Sequence, residues 1–167
     1  MYEPGLIAKT EALLGRMRAR GLTLSTAESC TGGLFAGLVT ECAGSSDVFE
    51  RGFVTYSNDA KTDLLGVDPT ILSIHGAVSA EAALAMVAGA LANSNADVAV
   101  AITGIAGPTG GSAEKPVGLV HIAVGSLGQA GRQREYRFGD IGRKEVRLAT
   151  LDAALDLLAE LCTGTPA

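Results

Sequence analysis

Two side chains able to attack a carbonyl carbon, Ser29 and Cys30, stand next to each other in the stretch Ala27-Glu28-Ser29-Cys30-Thr31-Gly32-Gly33. An apolar run over residues 22–27 precedes it, and a helical pattern beginning at Leu34-Phe35 follows. A strand that passes through hydroxyl- and glycine-rich backbone into a helix leaves N–H groups without intrahelical partners. With the positive end of the helix dipole, these favour an anion or a developing oxyanion. A serine before a helix is by itself most often a cap. Here Thr31-Gly32-Gly33 follows it, and the glycines let backbone approach a ligand closely. An oxyanion formed by attack of Ser29 would face the N–H groups around Thr31 to Gly33.

A serine nucleophile needs a base. The chain has two histidines, His75 in a Ser73-Ile74-His75-Gly76 turn and His121 in mid-strand, and no carboxylate obviously orients either. The Gly-x-Ser-x-Gly elbow is missing as well, because Ala27 and Thr31 occupy the glycine positions. Lys61 is the other candidate. It must be neutral to act, and lowering its pKa from ~10.4 to ~7–8 corresponds to roughly 3–5 kcal/mol of preference for the uncharged amine. Burial or a nearby cation such as Arg143 would supply that preference. Tyr56 is either a core residue with a satisfied hydroxyl or a relay between Ser29 and Lys61. Cys30 reads as a small buried thiol, since no histidine is placed to activate it.

These residues must be positioned by elements read from the pattern. Residues 3–20 predict an amphipathic helix with Leu6, Leu13, Leu14 and Met17 on one face. A strand over 22–27 and a helix ending near Gly44 come next. Residues 52–57 predict a strand ending in a polar turn, Asn58-Asp59-Ala60-Lys61, followed by a short helical turn through Leu64-Leu65. Asp68-Pro69 marks another start, and Ser79 caps an alanine-rich helix to about Asn93. Residues 97–103 and 117–124 read as buried strands, 132–138 as an edge strand, and 143–161 as a helix burying Val146, Leu148, Leu151, Leu155 and Leu158. Helices alternating with strands, then a hairpin, predict a single three-layer α/β/α domain with a mixed, mostly parallel sheet. Ligands of open α/β sheets collect beyond the carboxyl ends of the strands, where Ser29, Tyr56, Lys61 and Thr103 would converge. The glycine-rich run 104–112 lacks a P-loop signature but suits an anion-binding nest.

Composition narrows the partners. The 167 residues are 47% hydrophobic, with 18 acidic and 13 basic side chains, a net charge of -5, aromatics at 4% and no tryptophan. That is poor material for gripping nucleic-acid backbones or stacking bases, while a small anionic substrate fits a local basic pocket. No signal sequence or membrane-crossing run is read, so the chain is expected in the cytoplasm with Cys30, Cys42 and Cys162 as free thiols. Histidines and cysteines lack metal-ligand spacing. The edge strand over 132–138 and the apolar character overall suggest a homo-oligomer.

The strings Thr26-Ala27-Glu28-Ser29-Cys30-Thr31-Gly32-Gly33, Gly52-Phe53-Val54-Thr55-Tyr56-Ser57-Asn58, Ala60-Lys61, Thr103-Gly104-Ile105-Ala106-Gly107-Pro108, Gly110-Gly111-Ser112 and Glu114-Lys115-Pro116-Val117-Gly118 resemble, in order, the CinA C-terminal domain family. Larger members of that family carry an additional N-terminal domain, and this chain resembles a stand-alone version over residues 1–167. The resemblance implies hydrolysis of nicotinamide mononucleotide to nicotinate mononucleotide and ammonia, in pyridine nucleotide salvage, without a cofactor. It implies Ser29 as nucleophile, Lys61 and Tyr56 as its activators, and a substrate pocket of Thr31, Gly32, Gly33, Asn58, Thr103, Gly104, Gly107 and Arg143. The final motif reads Gly139-Asp140-Ile141-Gly142-Arg143 where the family has a compact Gly-Asp-Arg, leaving Arg143 and Arg147 as alternatives. Members named for competence and DNA damage leave a non-catalytic nucleotide-binding or regulatory module as the alternative function.

Overall fold

The computed structural model describes residues 2–163. Helix α1 (Pro4–Ala19) leads into strand β1 (Leu24–Glu28), helix α2 (Leu34–Glu41), a 3-10 turn (Ser45–Asp47) and strand β2 (Phe49–Val54). Helices α3 (Asn58–Leu65), α4 (Pro69–His75) and α5 (Ala80–Ala92) follow. Strands β3 (Val98–Gly104), β4 (Leu119–Ser126) and β5 (Arg132–Arg137) and helix α6 (Arg143–Thr163) complete the order. The five strands form one sheet in the order β2-β1-β3-β4-β5. Both neighbours of β1 run parallel to it, and β4 alone runs against the other strands. The sheet is therefore mixed, as expected.

Strand β3 is buried along nearly its whole length, yet its two faces differ. Val98, Val100 and Ile102 point into a core of large side chains shared with α1, α2 and α6, including Leu14, Met17, Phe35, Leu38, Leu151 and Leu155. Ala99 and Ala101 face the other way, against Ala82, Ala83, Met86, Val87 and Ala90 of α5. Small residues on both sides let α5 lie close to the sheet. Ser79 caps α5 as expected, its Oγ accepting from the Ala82 N–H at 3.1 Å. Among the described residues no helix is long and apolar enough to cross a membrane.

Two boundaries differ from expectation in ways that matter for the site. Strand β2 ends at Val54, and what reads as a polar turn is the start of α3. The reason is capping: Ser57 Oγ accepts from the Ala60 N–H at 3.0 Å, which draws Ser57 out of the strand and puts Lys61 on a helix. Similarly, His75 ends α4 and does not lie in an isolated turn. Leu148 is only half-buried on α6, whereas Val146, Leu151, Leu155 and Leu158 are buried.

The contact of α3 with α5 passes through Gly89, where an added Cβ would overlap the carbonyl oxygen of Leu65. Gly89→Ala is expected to destabilise the protein by ~1–3 kcal/mol, because overlap with fixed backbone outweighs the gain of ~1 kcal/mol in helix propensity. Urea unfolding of the two proteins measures it.

Candidate active site

Strand β1 lies between β2 and β3, and the parallel pairing runs one residue past its end. The Ser29 N–H donates to the Ile102 carbonyl at 2.9 Å and the Thr55 N–H to the Glu28 carbonyl at 2.8 Å. Ser29 is thereby fixed at the carboxyl edge of the sheet with the loops after β2 and β3 on either side. Lys61, one turn into α3, sends its side chain beneath this edge. Its Nζ donates to the Thr55 carbonyl at 2.7 Å and lies 3.0 Å from Ser29 Oγ.

Lys61 is 1% exposed, and no carboxylate among the described residues pairs with it. Burial holds its pKa below the usual 10.5. Of the two causes the sequence left open, burial is the one at work; Arg143 is not among the groups that shift it. A neutral amine has two N–H groups and one lone pair. With one N–H on Thr55, the lone pair can accept the Ser29 proton. The neighbouring Cys30 thiol is pushed the other way, up to about 12, chiefly by its own burial, and so stays protonated and packed in the core.

A cavity of ≈ 330 Å³ opens above this pair. Ser29, Tyr56, Lys61, Thr103, Gly104, Gly107 and Arg143 all line it, joined by Cys30, Ala77, Val78 and further residues of the β3–β4 loop. Lys61 and Arg143 are its basic side chains, and no carboxylate among the described residues lines it. Thr103 is buried, its hydroxyl donating to the Ala77 carbonyl at 2.7 Å, which ties β3 to the α4–α5 connection. Arg143 donates to the Gly107 carbonyl at 2.9 Å and to the Tyr56 hydroxyl at 3.0 Å, spanning the loops after β3 and β2. Tyr56 is largely exposed, and Lys61 reaches Ser29 directly rather than through it.

Thr31, Gly32, Gly33 and Asn58 do not line this cavity. Asn58 lies on a separate groove with Asp59 and Thr62. The Gly32 N–H closes a turn onto the Ser29 carbonyl, and the Gly33 N–H donates to Glu28. Gly33, at φ 93, is the N-cap residue of α2, so Ser29 does not cap it. The cap is Glu28, which sequence reasoning passed over. It is 1% exposed, and its carboxylate accepts from the N–H groups of Gly33, Phe35 and Ala36 at 3.1, 3.0 and 2.8 Å. A carboxylate within a strand that leads straight into an uncapped helix was the available signal. Arg147, one turn beyond Arg143 on α6, donates to the Thr31 carbonyl at 2.6 Å. The two arginines therefore have separate places, Arg143 at the cavity and Arg147 behind the Ser29 turn.

The family model for the CinA C-terminal domain matches residues 7–162. A CinA-like protein of Geotalea daltonii is 55% identical over 153 residues, which cover 91% of this chain and 36% of that one, so the chain spans about a third of that relative. A protein of Escherichia coli named nicotinamide-nucleotide amidohydrolase PncC is 48% identical over 159 residues, 95% of each chain. Among solved structures, the competence/damage inducible protein CihA of Agrobacterium tumefaciens superposes with a TM-score of 0.94 at 53% identity, covering 96% of this chain and 98% of that one. The match over almost the whole chain, with the same fold, places this protein in the CinA C-terminal domain family.

Proposed function

We propose that the chain, acting as one amidase domain, hydrolyses the carboxamide of nicotinamide mononucleotide to nicotinate mononucleotide and ammonia, in pyridine nucleotide salvage. The observation that carries this reading is the buried, uncompensated Lys61 amine 3.0 Å from Ser29 Oγ at the floor of a cavity. The name of the full-length Escherichia coli relative supports the choice of substrate. A lining whose standing cation is Arg143, with no carboxylate among the described residues, suits a substrate bearing a phosphate.

In this mechanism Lys61 Nζ takes the hydroxyl proton as Ser29 Oγ bonds to the carboxamide carbon. The tetrahedral intermediate collapses as the C–N bond breaks, and Lys61 returns the proton to the departing ammonia. Water, losing a proton to Lys61, then attacks the acyl ester, and Ser29 leaves with that proton. Thr55 holds the amine in place through both half-reactions. Arg143 and the backbone from Gly104 to Gly110 are the groups for the phosphate. Tyr56 acts at the mouth by ordering Arg143, and Thr103 shapes the wall against Ala77. The remaining residues with expected substrate roles, Thr31, Gly32, Gly33 and Asn58, act through the position of the Ser29 turn and of α3.

Purified protein incubated with nicotinamide mononucleotide is expected to release ammonia. Ser29→Ala should lower kcat by at least about 10³-fold, since a missing nucleophile leaves only binding effects. Cys30→Ala should keep turnover, and the reverse outcome would exchange the two assignments. Because Lys61 must be neutral, kcat/KM is expected to rise with pH along a limb whose midpoint lies below the ordinary lysine value; Lys61→Met should abolish that limb and cost ~10²–10⁴-fold in rate.

Folding stability carries the same signature. The folded-state pKa of Lys61 is the lowered one, so between it and 10.5 the unfolded chain binds the extra proton. Stability therefore rises with pH through that window, and the penalty is fully present below it. Urea midpoints taken across pH 7 to 10 should show this rise in the wild type relative to Lys61→Met. Parallel profiles would rule out a lowered pKa.

A further inference from the structure

An oxyanion formed beside Ser29 needs N–H donors, and the first turn of α2 has none to give. The Leu34 N–H bonds to the Thr31 carbonyl at 3.2 Å, and those of Gly33, Phe35 and Ala36 go to the Glu28 carboxylate. A helix start leaves its N–H groups free, and here an internal carboxylate takes three of them and a backbone carbonyl the fourth. The dipole end that would attract a substrate's charge already faces a negative side chain.

Two peptide N–H groups remain. The Gly32 N–H closes a turn onto the Ser29 carbonyl at 3.0 Å, and the central residues of that turn are Cys30 and Thr31. Among the described residues their N–H groups have no acceptor in another residue. Of the two residues, Cys30 lines the cavity although its thiol is packed in the core, and Thr31 does not. On the far side, the Thr31 carbonyl accepts from Arg147 at 2.6 Å, which fixes the Thr31–Gly32 peptide that ends the turn. The residue following a nucleophilic serine supplies an oxyanion N–H in other hydrolases for the same geometric reason.

We propose that Glu28 is a positioning residue for catalysis: by occupying the α2 first turn while Arg147 grips Thr31, it presents the Cys30 N–H to the oxyanion. The inference rests on Ser29 being the nucleophile, but not on the identity of the amide. Glu28→Gln swaps one acceptor oxygen for an NH2 group that cannot accept from the helix, so the turn relaxes while Lys61 and the cavity floor are unaltered. Arg147→Ala releases the other anchor, and Arg147→Lys restores a donor.

Two measurements test it. With nicotinamide mononucleotide, Glu28→Gln and Arg147→Ala should lower kcat by about 10- to 100-fold, a partial loss of oxyanion donation. KM and the lysine pH limb should stay near the wild type, and Arg147→Lys should recover part of kcat. Independently of substrate, the rate at which a fluorophosphonate modifies Ser29 is followed by intact-protein mass. The Ser29 Oγ–phosphorus bond forms, fluoride leaves and Lys61 takes the proton, so the rate should fall in the same order. Unchanged rates in folded variants, or a loss confined to KM, would overturn the proposal. If Glu28→Gln does not fold, the Arg147 pair decides it by the same readings. Should the wild type release no ammonia while the modification rates keep their order, the substrate assignment fails and the role of Glu28 stands.

Discussion

A lysine amine shut away from water, with no carboxylate among the described residues beside it, is unfavourable in its charged form, and this fold keeps such an amine against a serine hydroxyl. The Thr55 carbonyl offers it a dipole and not a counter-charge, so the uncharged amine can be held in place without being pulled back toward the ammonium. An acidic partner in the same position would satisfy Lys61 electrostatically and raise its pKa, at the expense of its basicity toward Ser29.

Holding that pair requires elements remote in sequence to meet within an ångström-scale tolerance. The parallel strands β1, β2 and β3 bring three loops to one edge of the sheet, and hydrogen bonds continuing past β1 fix the height of Ser29 within it. Helix α3 begins where it does because Ser57 caps it, which sets the rotation of Lys61 about the helix axis. Small side chains between the sheet and α5, together with the bare backbone of Gly89 against Leu65, let α3 and α5 sit close enough for the lysine to reach.

The first two turns of α6 tie these loops together. Arg143 touches the loops after β2 and β3, and Arg147, four residues on, touches the loop after β1. The start of α6 is brought to that edge by the β5 end, where Phe138 bonds to Gly118 and the bare backbone of Gly118 packs directly on Gly139. Guanidinium groups suit this work because their planar array of donors can serve carbonyl and hydroxyl acceptors at once. One helix thus makes the geometry of the nucleophile, the mouth and the glycine-rich wall interdependent.

Much of this was legible in the linear chain, for identifiable reasons. Hydrophobic period and turn residues fix the order of strands and helices, and the apolar run ending in Thr103 could only be a buried strand. The loops after β1, β2 and β3 marked Ser29, Tyr56, Lys61 and Thr103 because, although each alone has an ordinary structural use, together they converge beyond the carboxyl ends of the strands, and the family resemblance added Arg143. What the sequence could not decide were matters of competition among groups distant along the chain. Whether Ser57 extends a strand or caps a helix, whether an N–H at α2 faces a ligand or Glu28, and whether Arg143 or Arg147 enters the cavity all depend on which partner arrives first and fits best. Hydrogen-bond donors are few and each is spent once, so their allocation, and with it the burial that lowers the lysine pKa, is settled only when the sheet and its two helical layers have closed around them.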